Sequence, residues 1–203
     1  MPRPRYETGE KTARERLEEA FWVCLAEKPF DKITVADVTK QASVNRNTFY
    51  YHYVDMNDLA RTVARETALE PEMITSVLAH IFQGGGSEVL ARIPNVEQRA
   101  DCIYLLAGKN SNAELRQMLR DALMDAWSQA FNLDFKSLDL EGQLAIEFVL
   151  GGIMAIIAYR ADGGHEFKIH DLYDLGFTRD AMHFLRHVPP VYGQLAATIG
   201  ERA

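Results

Sequence analysis

The sequence predicts an all-α protein, with a three-helix N-terminal head containing a helix-turn-helix and a C-terminal helical bundle that dimerises. Apolar residues recur at helical spacing along most of the chain, and residues 71–203 show no strand-like alternation of any length. Clusters of glycine and proline separate the periodic segments, as expected for breaks between helices. We predict a boundary between residues 1–54, the head, and residues 55–203, a linking helix and the bundle.

The first predicted helix runs from about residue 11 to residue 27. Its apolar positions fall on one stripe, which is expected to pack across the helix-turn-helix and hold it rigid. The residues of this stripe are Leu17, Ala20, Phe21, Cys24 and Leu25.

Two short capped helices follow in residues 33–53. Thr34 with Asp37 three residues later forms the Thr-x-x-Asp version of a capping box, and Val38 and Ala42 continue the buried side of this helix. The pattern breaks after Ala42, and Asn45 is a suitable cap for a second helix that begins at residue 46.

The second short helix combines an apolar side with an exposed polar and aromatic side. Phe49 and Tyr53 are four residues apart and are predicted to face inward with Val44. The residues then turned outward are Arg46, Asn47, Tyr50 and Tyr51, with the hydroxyl of Thr48. Arginine recognises guanine, asparagine recognises adenine, and tyrosine hydroxyls reach phosphates. An ordinary surface hairpin is the alternative, but two adjacent exposed tyrosines favour DNA binding.

From Thr12 to about Val63 the chain resembles the TetR/AcrR family of one-component transcriptional regulators. The resemblance lies in the runs TARERL from residue 12, FDKITVADV from residue 30 and ASVNRNTFYYHY from residue 42, and in the pair Asp58-Leu59. It implies base-edge contacts from Arg46 and Asn47, and backbone contacts from His52 and the helix start at Thr34. The full set predicted to bind DNA is Thr34, Asn45, Arg46, Asn47, Thr48, Tyr50, Tyr51 and His52.

Two positions depart from the family pattern. Ser43 stands in the turn where glycine is usual, so a positive φ there would be strained. Met56 replaces a lysine that usually contacts phosphate near the start of the fourth helix. Asp55 still caps that helix, which leaves its N-terminal N–H groups as an alternative phosphate contact. We therefore expect weaker phosphate anchoring without loss of DNA binding.

Composition is that of an ordinary soluble domain, and the net charge is acidic. The chain has 203 residues, 47% of them hydrophobic and 25% charged, with a formal charge of −7. Basic residues gather near the start: Arg3, Arg5, Lys11, Arg14 and Arg16. This leader either enters a minor groove or has no role. An acidic remainder suppresses non-specific DNA association.

Several features of the sequence limit where the protein is expected to be located and which chemistry it is expected to carry out. Cys24 and Cys102 show no CxxC pairing and are expected to be buried thiols in a reducing cytosol. No apolar signal segment opens the chain, and the apolar run from Leu144 to Tyr159, interrupted by Glu147, is expected to be too short for a bilayer. We predict a cytoplasmic protein with no cofactor. The sequence contains no recognisable catalytic motif, so we do not predict an enzyme.

The remaining helices are predicted near residues 72–82, 96–107, 112–132, 141–161 and 173–187. The helix near 141–161 is apolar nearly all round, which is typical of a helix buried on more than one side. We expect one side to face the core and the other a symmetry mate, forming a four-helix dimer interface with the last helix. The residues assigned to this homodimer interface are Gly151, Gly152, Met154, Ile156, Met182 and Leu185.

Aromatic residues on helices that should converge indicate either a pocket for a small apolar or aromatic effector or simply core. The candidate ligand-binding residues are Tyr104, Trp127, Phe131 and Phe148. His183 and His187 stand four apart on a helix, but nothing completes a metal site, so none is predicted.

Together these patterns predict a dimeric repressor of a pseudo-palindromic operator, released by a small-molecule effector. The alternative is a helical interaction module of the same fold, controlled by a protein partner and without operator binding. Ser43, Met56 and the acidic charge keep this alternative open.

Overall fold

The computed structural model describes residues 11–68, 87–131, 134–163, 167–168, 170–171, 175–176 and 180. Within these residues the structure is helical and contains no strand, which confirms the predicted all-α class. The α-helices are α1 (Ala13–Glu27), α2 (Val35–Gln41), α3 (Arg46–His52), α4 (Met56–Val63), α5 (Val96–Ala107), α6 (Ala113–Phe131) and α7 (Leu140–Ala161). Short 3-10 helices lie at Phe30–Lys32, Ser87–Arg92 and Phe135–Ser137. The helices predicted near 72–82 and 173–187, and the basic leader through Arg5, lie outside the described residues.

Helix α1 forms the floor of the head. Thr12 caps it through a capping box in which the Thr12 side chain accepts from the Glu15 N–H and the Glu15 carboxylate accepts from the Thr12 N–H. Leu17, Phe21 and Leu25 are fully buried, and α1 packs against α2, α3 and α4. The stripe predicted for this helix is therefore its buried side.

The linking helix changes its winding part-way along. Asp55 caps α4, and Leu59, Val63 and Ala64 are fully buried. From Ala64 to Ala68 the chain continues as a single π-helical turn rather than as α-helix. Such turns are rare and leave the backbone locally less well bonded, so helix propensity alone does not predict them.

The described body consists mainly of α5, α6 and α7. Helix α5 packs against both α6 and α7, and it also contacts α1 and the π-helical turn. One apolar cluster runs without interruption from Leu17 in the head to Ile157 in α7. Head and body therefore share a core, and the head cannot shift without disturbing apolar contacts in the body.

Helix α7 has an apolar exposed face. Its 22 residues are long and apolar enough, by length and composition, to cross a membrane, so the expectation that this segment is too short is wrong. The core helix of a soluble protein passes the same test, and only 28% of its most apolar window is buried. The exposed large side chains are Leu140, Leu144, Phe148 and Tyr159. Their spacing places them along one stripe.

Candidate nucleic-acid interface

The recognition helix α3 is held by a cap at its start and an anchor in its middle. Asn45 accepts hydrogen bonds at its Oδ1 from the Thr48 N–H at 2.8 Å and the Thr48 hydroxyl at 3.1 Å. Phe49 is fully buried and Tyr53 is 4% exposed. These two side chains fix the rotation of a helix of only seven residues, which would not persist alone in water.

The turn before α3 is a Schellman motif with serine at its left-handed position. The Val44 N–H donates to the Thr39 carbonyl at 3.0 Å, and the Ser43 N–H to the Lys40 carbonyl at 3.2 Å. Ser43 has a φ of 53°, a conformation that favours glycine. The predicted strain at Ser43 is therefore present, and the turn keeps its geometry despite the missing glycine.

The outward face of α3 presents the side chains that the sequence placed there. Arg46, Asn47, Tyr50 and Tyr51 are all exposed, with Tyr51 at 85%. The Arg46 guanidinium donates to the Tyr50 hydroxyl at 3.1 Å and lies 5.6 Å from the centre of the Tyr50 ring. This pairing pre-orders two long side chains on a surface that makes little use of them for folding. His52 is half-buried beside Tyr51, with ring centres 5.1 Å apart.

Thr34 is exposed at the start of α2, but its polar groups are already engaged. Its N–H donates to Asp37 Oδ2 at 2.8 Å and its hydroxyl to the same oxygen at 2.6 Å. Lys28 Nζ lies 2.8 Å from Asp37 Oδ2, and this contact, with the bonds from Thr34, holds the pKa of Asp37 well below its usual range. A phosphate approaching this helix start would meet a carboxylate neutralised by a lysine.

The start of α4 is acidic rather than basic. Asp55 accepts from the Asp58 N–H at 2.8 Å, and Asp58 accepts from the Val54 N–H at 2.9 Å. Met56, in place of the expected lysine, is half-buried and packs against the core. The expectation that the N-terminal N–H groups of α4 substitute for that lysine is weakened, because the Asp55 carboxylate already accepts from one of these donors, the Asp58 N–H, and places a negative charge at the helix start.

A network of charged groups joins α1, the end of α3 and the π-helical turn. On α1, Glu18 accepts from Arg14 Nε and from the Tyr53 hydroxyl, both at 2.8 Å. Arg14 also pairs with Glu66 in the π-helical turn. Burial, followed by the bond to Glu18, raises the pKa of Tyr53, so its hydroxyl stays protonated as a donor. The position of α3 is thus coupled to the linking helix through polar as well as apolar contacts.

Sequence reasoning did not identify Val54 as part of this surface. Val54 lies two residues after the end of α3 and is 79% exposed. An apolar side chain next to a base-reading surface can contact a thymine methyl group or a sugar. Its position between Tyr53 and Asp55, outside both helical patterns, was the available signal.

Of the residues predicted to bind an effector, Tyr104 and Trp127 are buried, whereas Phe148 is 70% exposed and does not share their buried surroundings. The structure does not describe the side chain of Phe131. The Arg160 guanidinium covers the Tyr104 ring at 4.8 Å, a basic contact that the apolar pattern of α7 did not indicate.

A cleft of about 290 Å³ lies between α4, the π-helical turn and α6. Its walls carry Arg61 and Arg65 on one side and Asp121 and Asp125 on the other, with Met118 among them. The Arg65–Asp125 ion pair spans it at 3.7 Å. This polar cleft differs from the apolar pocket that the aromatic residues predicted.

The residues assigned to dimerisation fall partly on the exposed side of α7. Gly151 and Gly152 are exposed, and a Cβ added to either would meet no atom within 4 Å. Met154 and Ile156 are half-buried. Met182 and Leu185, like the histidine pair His183 and His187, lie outside the described residues. Among the residues that were described, no cluster of metal-ligating side chains occurs.

A capped helix-turn-helix with an exposed arginine, asparagine and tyrosine face defines the head as a DNA-binding domain of the helix-turn-helix class. Residues 19–63 match the family model for bacterial regulatory proteins of the tetR family. The predicted resemblance is thereby confirmed: the chain carries the DNA-binding domain of a TetR-family transcriptional regulator.

Relatives along the rest of the chain are also transcriptional regulators and not enzymes. The HTH-type transcriptional regulator YxbF of Bacillus subtilis is 25% identical over 164 residues. That alignment covers 74% of this chain but 40% of YxbF, so the chain spans less than half the length of this relative.

Solved structures of regulators resemble the fold loosely. A TetR-family regulator from Mesorhizobium loti is 16% identical and has a TM-score of 0.48, with 94% of this chain and 98% of that chain covered. The fatty acid degradation regulator FadR from Bacillus halodurans is 13% identical with a TM-score of 0.40, covering 95% and 97% of the two chains. Because both TM-scores are low, the family assignment rests on the head.

Proposed function

We propose that this protein is a cytoplasmic, dimeric repressor that binds a pseudo-palindromic operator and is released by a small-molecule effector. Residues 1–54 supply the DNA-binding domain, and residues 55–203 supply the linking helix and the dimerising bundle. The observation that carries the proposal is the exposed face of α3, held by Phe49 and Tyr53 from beneath. Such a face has no role in folding, and its side chains are those that read base edges.

Readout of one half-site falls to α3. Arg46 and Asn47 lie in its first turn, from which side chains enter the major groove. Tyr50, Tyr51 and His52 contact phosphates or bases, while Thr34, Asn45 and Thr48 lie at the helix starts that approach the backbone. The acidic start of α4 leaves few phosphate contacts to each protomer, so salt dependence should be shallow for this class.

Dimerisation is assigned to the exposed apolar stripe of α7. Leu144 and Phe148 are 59% and 70% exposed, and the open face at Gly151 lets another helix approach closely. An isologous contact through this stripe would place two copies of α3 on one face of DNA, where half-sites stand roughly 34–36 Å apart.

Effector release requires a ligand that prefers the form unable to bind DNA, because a ligand indifferent to the two forms shifts nothing. The π-helical turn and the adjoining cleft place a deformable segment between the body and the head. A ligand seated against this segment would tilt α4 and separate the recognition helices of the dimer.

Selection of bound fragments from genomic DNA with the purified protein tests the proposal. The best fragment is then titrated at two salt concentrations with wild type, Arg46→Ala, Tyr50→Ala and, as a matched control, Lys32→Ala. Lys32 is an exposed cation in the same head but outside α3. A palindrome bound by wild type and the control, and lost in the two α3 variants, supports operator binding.

A second function is favoured by one observation, the start of α4, where a pair of carboxylates and the half-buried Met56 stand in place of a phosphate-binding lysine. In that case the same fold acts as a helical interaction module controlled by a protein partner. No enriched sequence at any salt concentration, together with a folded dimer, would support this function and refute the operator.

A further inference from the structure

The body contacts the head at a second place, at the C-terminal end of α1. The loop of residues 108–112 joins α5 to α6 and lies against the end of α1. Gly108 is buried where α5 meets the end of α7, and a Cβ there would stand 3.2 Å from the Ala161 Cβ. The Ser111 hydroxyl donates to the Leu106 carbonyl at 2.6 Å. The loop is therefore fastened to three helices of the body.

Asn110 closes the last turn of α1 from the body. Its Nδ2 donates to the Leu25 carbonyl at 2.9 Å and to the Ala26 carbonyl at 3.1 Å. The last carbonyls of a helix have no partner within the helix, so a side-chain amide with two hydrogens satisfies them well. The Asn110 carbonyl in turn accepts from the Phe30 N–H at 2.8 Å. Three hydrogen bonds thus join one body residue to the last turn of α1 and to Phe30 just after it.

Asn112 adds a contact that ties the same loop to the start of α6. Its Oδ1 accepts from the Leu115 N–H at 2.8 Å, which caps α6, while its Nδ2 donates to Asp31 Oδ1 at 2.5 Å. The Asn112 side chain therefore caps α6 in the body and also binds Asp31 in the head. Any rotation of α6 about its first turn must move this contact.

A shift at the end of α1 reaches the recognition helix by a short route. Helix α1 carries Glu18, which binds the Tyr53 hydroxyl directly after α3. It also carries Phe21, which is fully buried in the shared core. Since side chains this tightly packed transmit displacement, the orientation of α1 sets that of α3.

We infer that Asn110 is a positioning residue for DNA binding, acting on the recognition helix through α1. The loop of residues 108–112 clamps the end of α1 to the junction of α5 and α6, through contacts separate from the Asn57–Glu114 hydrogen bond that joins α4 to the first turn of α6. Rearrangement of that junction, by effector or partner, changes the tilt of α1 and so of α3. The inference rests on the proposed function for its link to DNA, whereas the clamp itself is testable without DNA.

The first test measures the clamp alone. Spin labels are placed at Lys40→Cys in the head and Gln98→Cys in the body, both exposed positions, while Cys24 and Cys102 are buried. Labelled protein is diluted into unlabelled protein so that distances within one protomer dominate. Asn110→Asp keeps the side-chain size but removes the donor, and Lys109→Ala is the matched control in the same loop. Pulsed electron resonance gives the distance distribution, and hydrogen exchange gives the protection of the Phe30 amide.

We expect Asn110→Asp to broaden the distance distribution and to speed exchange at Phe30 roughly 5- to 30-fold, the factor that corresponds to losing one or two hydrogen bonds. Lys109→Ala should change neither quantity. Unchanged distance and exchange in Asn110→Asp would overturn the inference whether or not the protein binds DNA.

The second test uses the selected operator and versions with one base pair added or removed between half-sites. A loosened head should bind the native spacing roughly 5- to 30-fold more weakly and should discriminate less between spacings. A broadened distance distribution with unchanged affinity and spacing preference would overturn the positioning role. If wild type binds no DNA while Asn110→Asp still loosens the head, the proposed function fails and the clamp stands.

Discussion

Replacing Ser43 with glycine should stabilise the protein, because Ser43 occupies the left-handed position of the turn between α2 and α3. Its φ of 53° brings the Cβ too close to the backbone, which costs about 1–2 kcal/mol for a residue other than glycine. Glycine removes this cost but adds conformational freedom to the unfolded chain, which opposes it by about 0.4–1 kcal/mol. The difference is a gain in the free energy of unfolding with a central value of about 0.8 kcal/mol, in a range of about 0–1.6 kcal/mol.

Thermal unfolding followed by circular dichroism measures this gain. For a chain of this length about 1 kcal/mol corresponds to roughly 2–4 °C in Tm, so Ser43→Gly should raise Tm by about 1–4 °C. Protein concentration is kept fixed, because Tm depends on concentration if the chain dimerises. Ser43→Ala is the control: it removes the hydroxyl but keeps the Cβ, and it should bring no gain.

The reasoning fails if Ser43→Gly lowers Tm, or if Ser43→Ala raises it equally. The first outcome would show that the Schellman bonds from Ser43 and Val44 already hold the turn without measurable strain. The second would assign the effect to the exposed hydroxyl rather than to the backbone. Operator affinity of Ser43→Gly should stay within about threefold of wild type, because the hydrogen bonds that set the angle between α2 and α3 come from the backbone.

Three further predictions concern other parts of the molecule. The pKa of the Asp37 carboxylate is depressed, so its contribution to stability is complete above its ordinary pKa of 3.8 and is lost as the pH falls further. The Tm difference between wild type and Asp37→Asn should therefore shrink over that acid range. Burial raises the pKa of the Cys102 thiol to about 11, so at pH 8 a chromogenic disulfide reagent should react with this thiol only after denaturant is added. Rapid reaction of the native protein would contradict the burial of Cys102. Phe148→Asp places a charge on the exposed stripe of α7 and should convert the dimer to monomer in sedimentation velocity, with helicity unchanged; Asp121→Ala, an exposed change on α6, should leave the dimer intact.

Local signals predicted the head well. The caps Thr34, Asn45 and Asp55 act on N–H groups three residues away, so the neighbouring sequence is enough to predict their roles. The inward direction of Phe49 and Tyr53 follows from helical spacing for the same reason. A positive φ at Ser43 was expected only on the condition that this turn keeps the geometry of the family's usual glycine, and the structure has a φ of 53° there.

Contacts between distant segments were not predictable in this way. Asn110 bonds to residues 84 and 85 positions earlier, and no periodicity or cap signal joins them. Helix α7 is apolar nearly all round, so its pattern did not show that Phe148 faces outward while Val149 and Leu150 face the core. Within the π-helical turn, Arg65 and Glu66 form ion pairs with α6 and α1, and only the fold reveals these partners.

The inward and outward side chains of α3 have separate roles, and this separation affects how such a protein can diversify. Its two inward side chains hold the helix, and its outward ones contribute little to the core, so the two sets are under separate selection. Under the proposed function, a duplicated copy of the gene could exchange Asn47 or Tyr51 and so change the preferred DNA sequence with little cost to the stability of the fold. New regulatory circuits are then reached through a series of single substitutions, each of which leaves a folded protein.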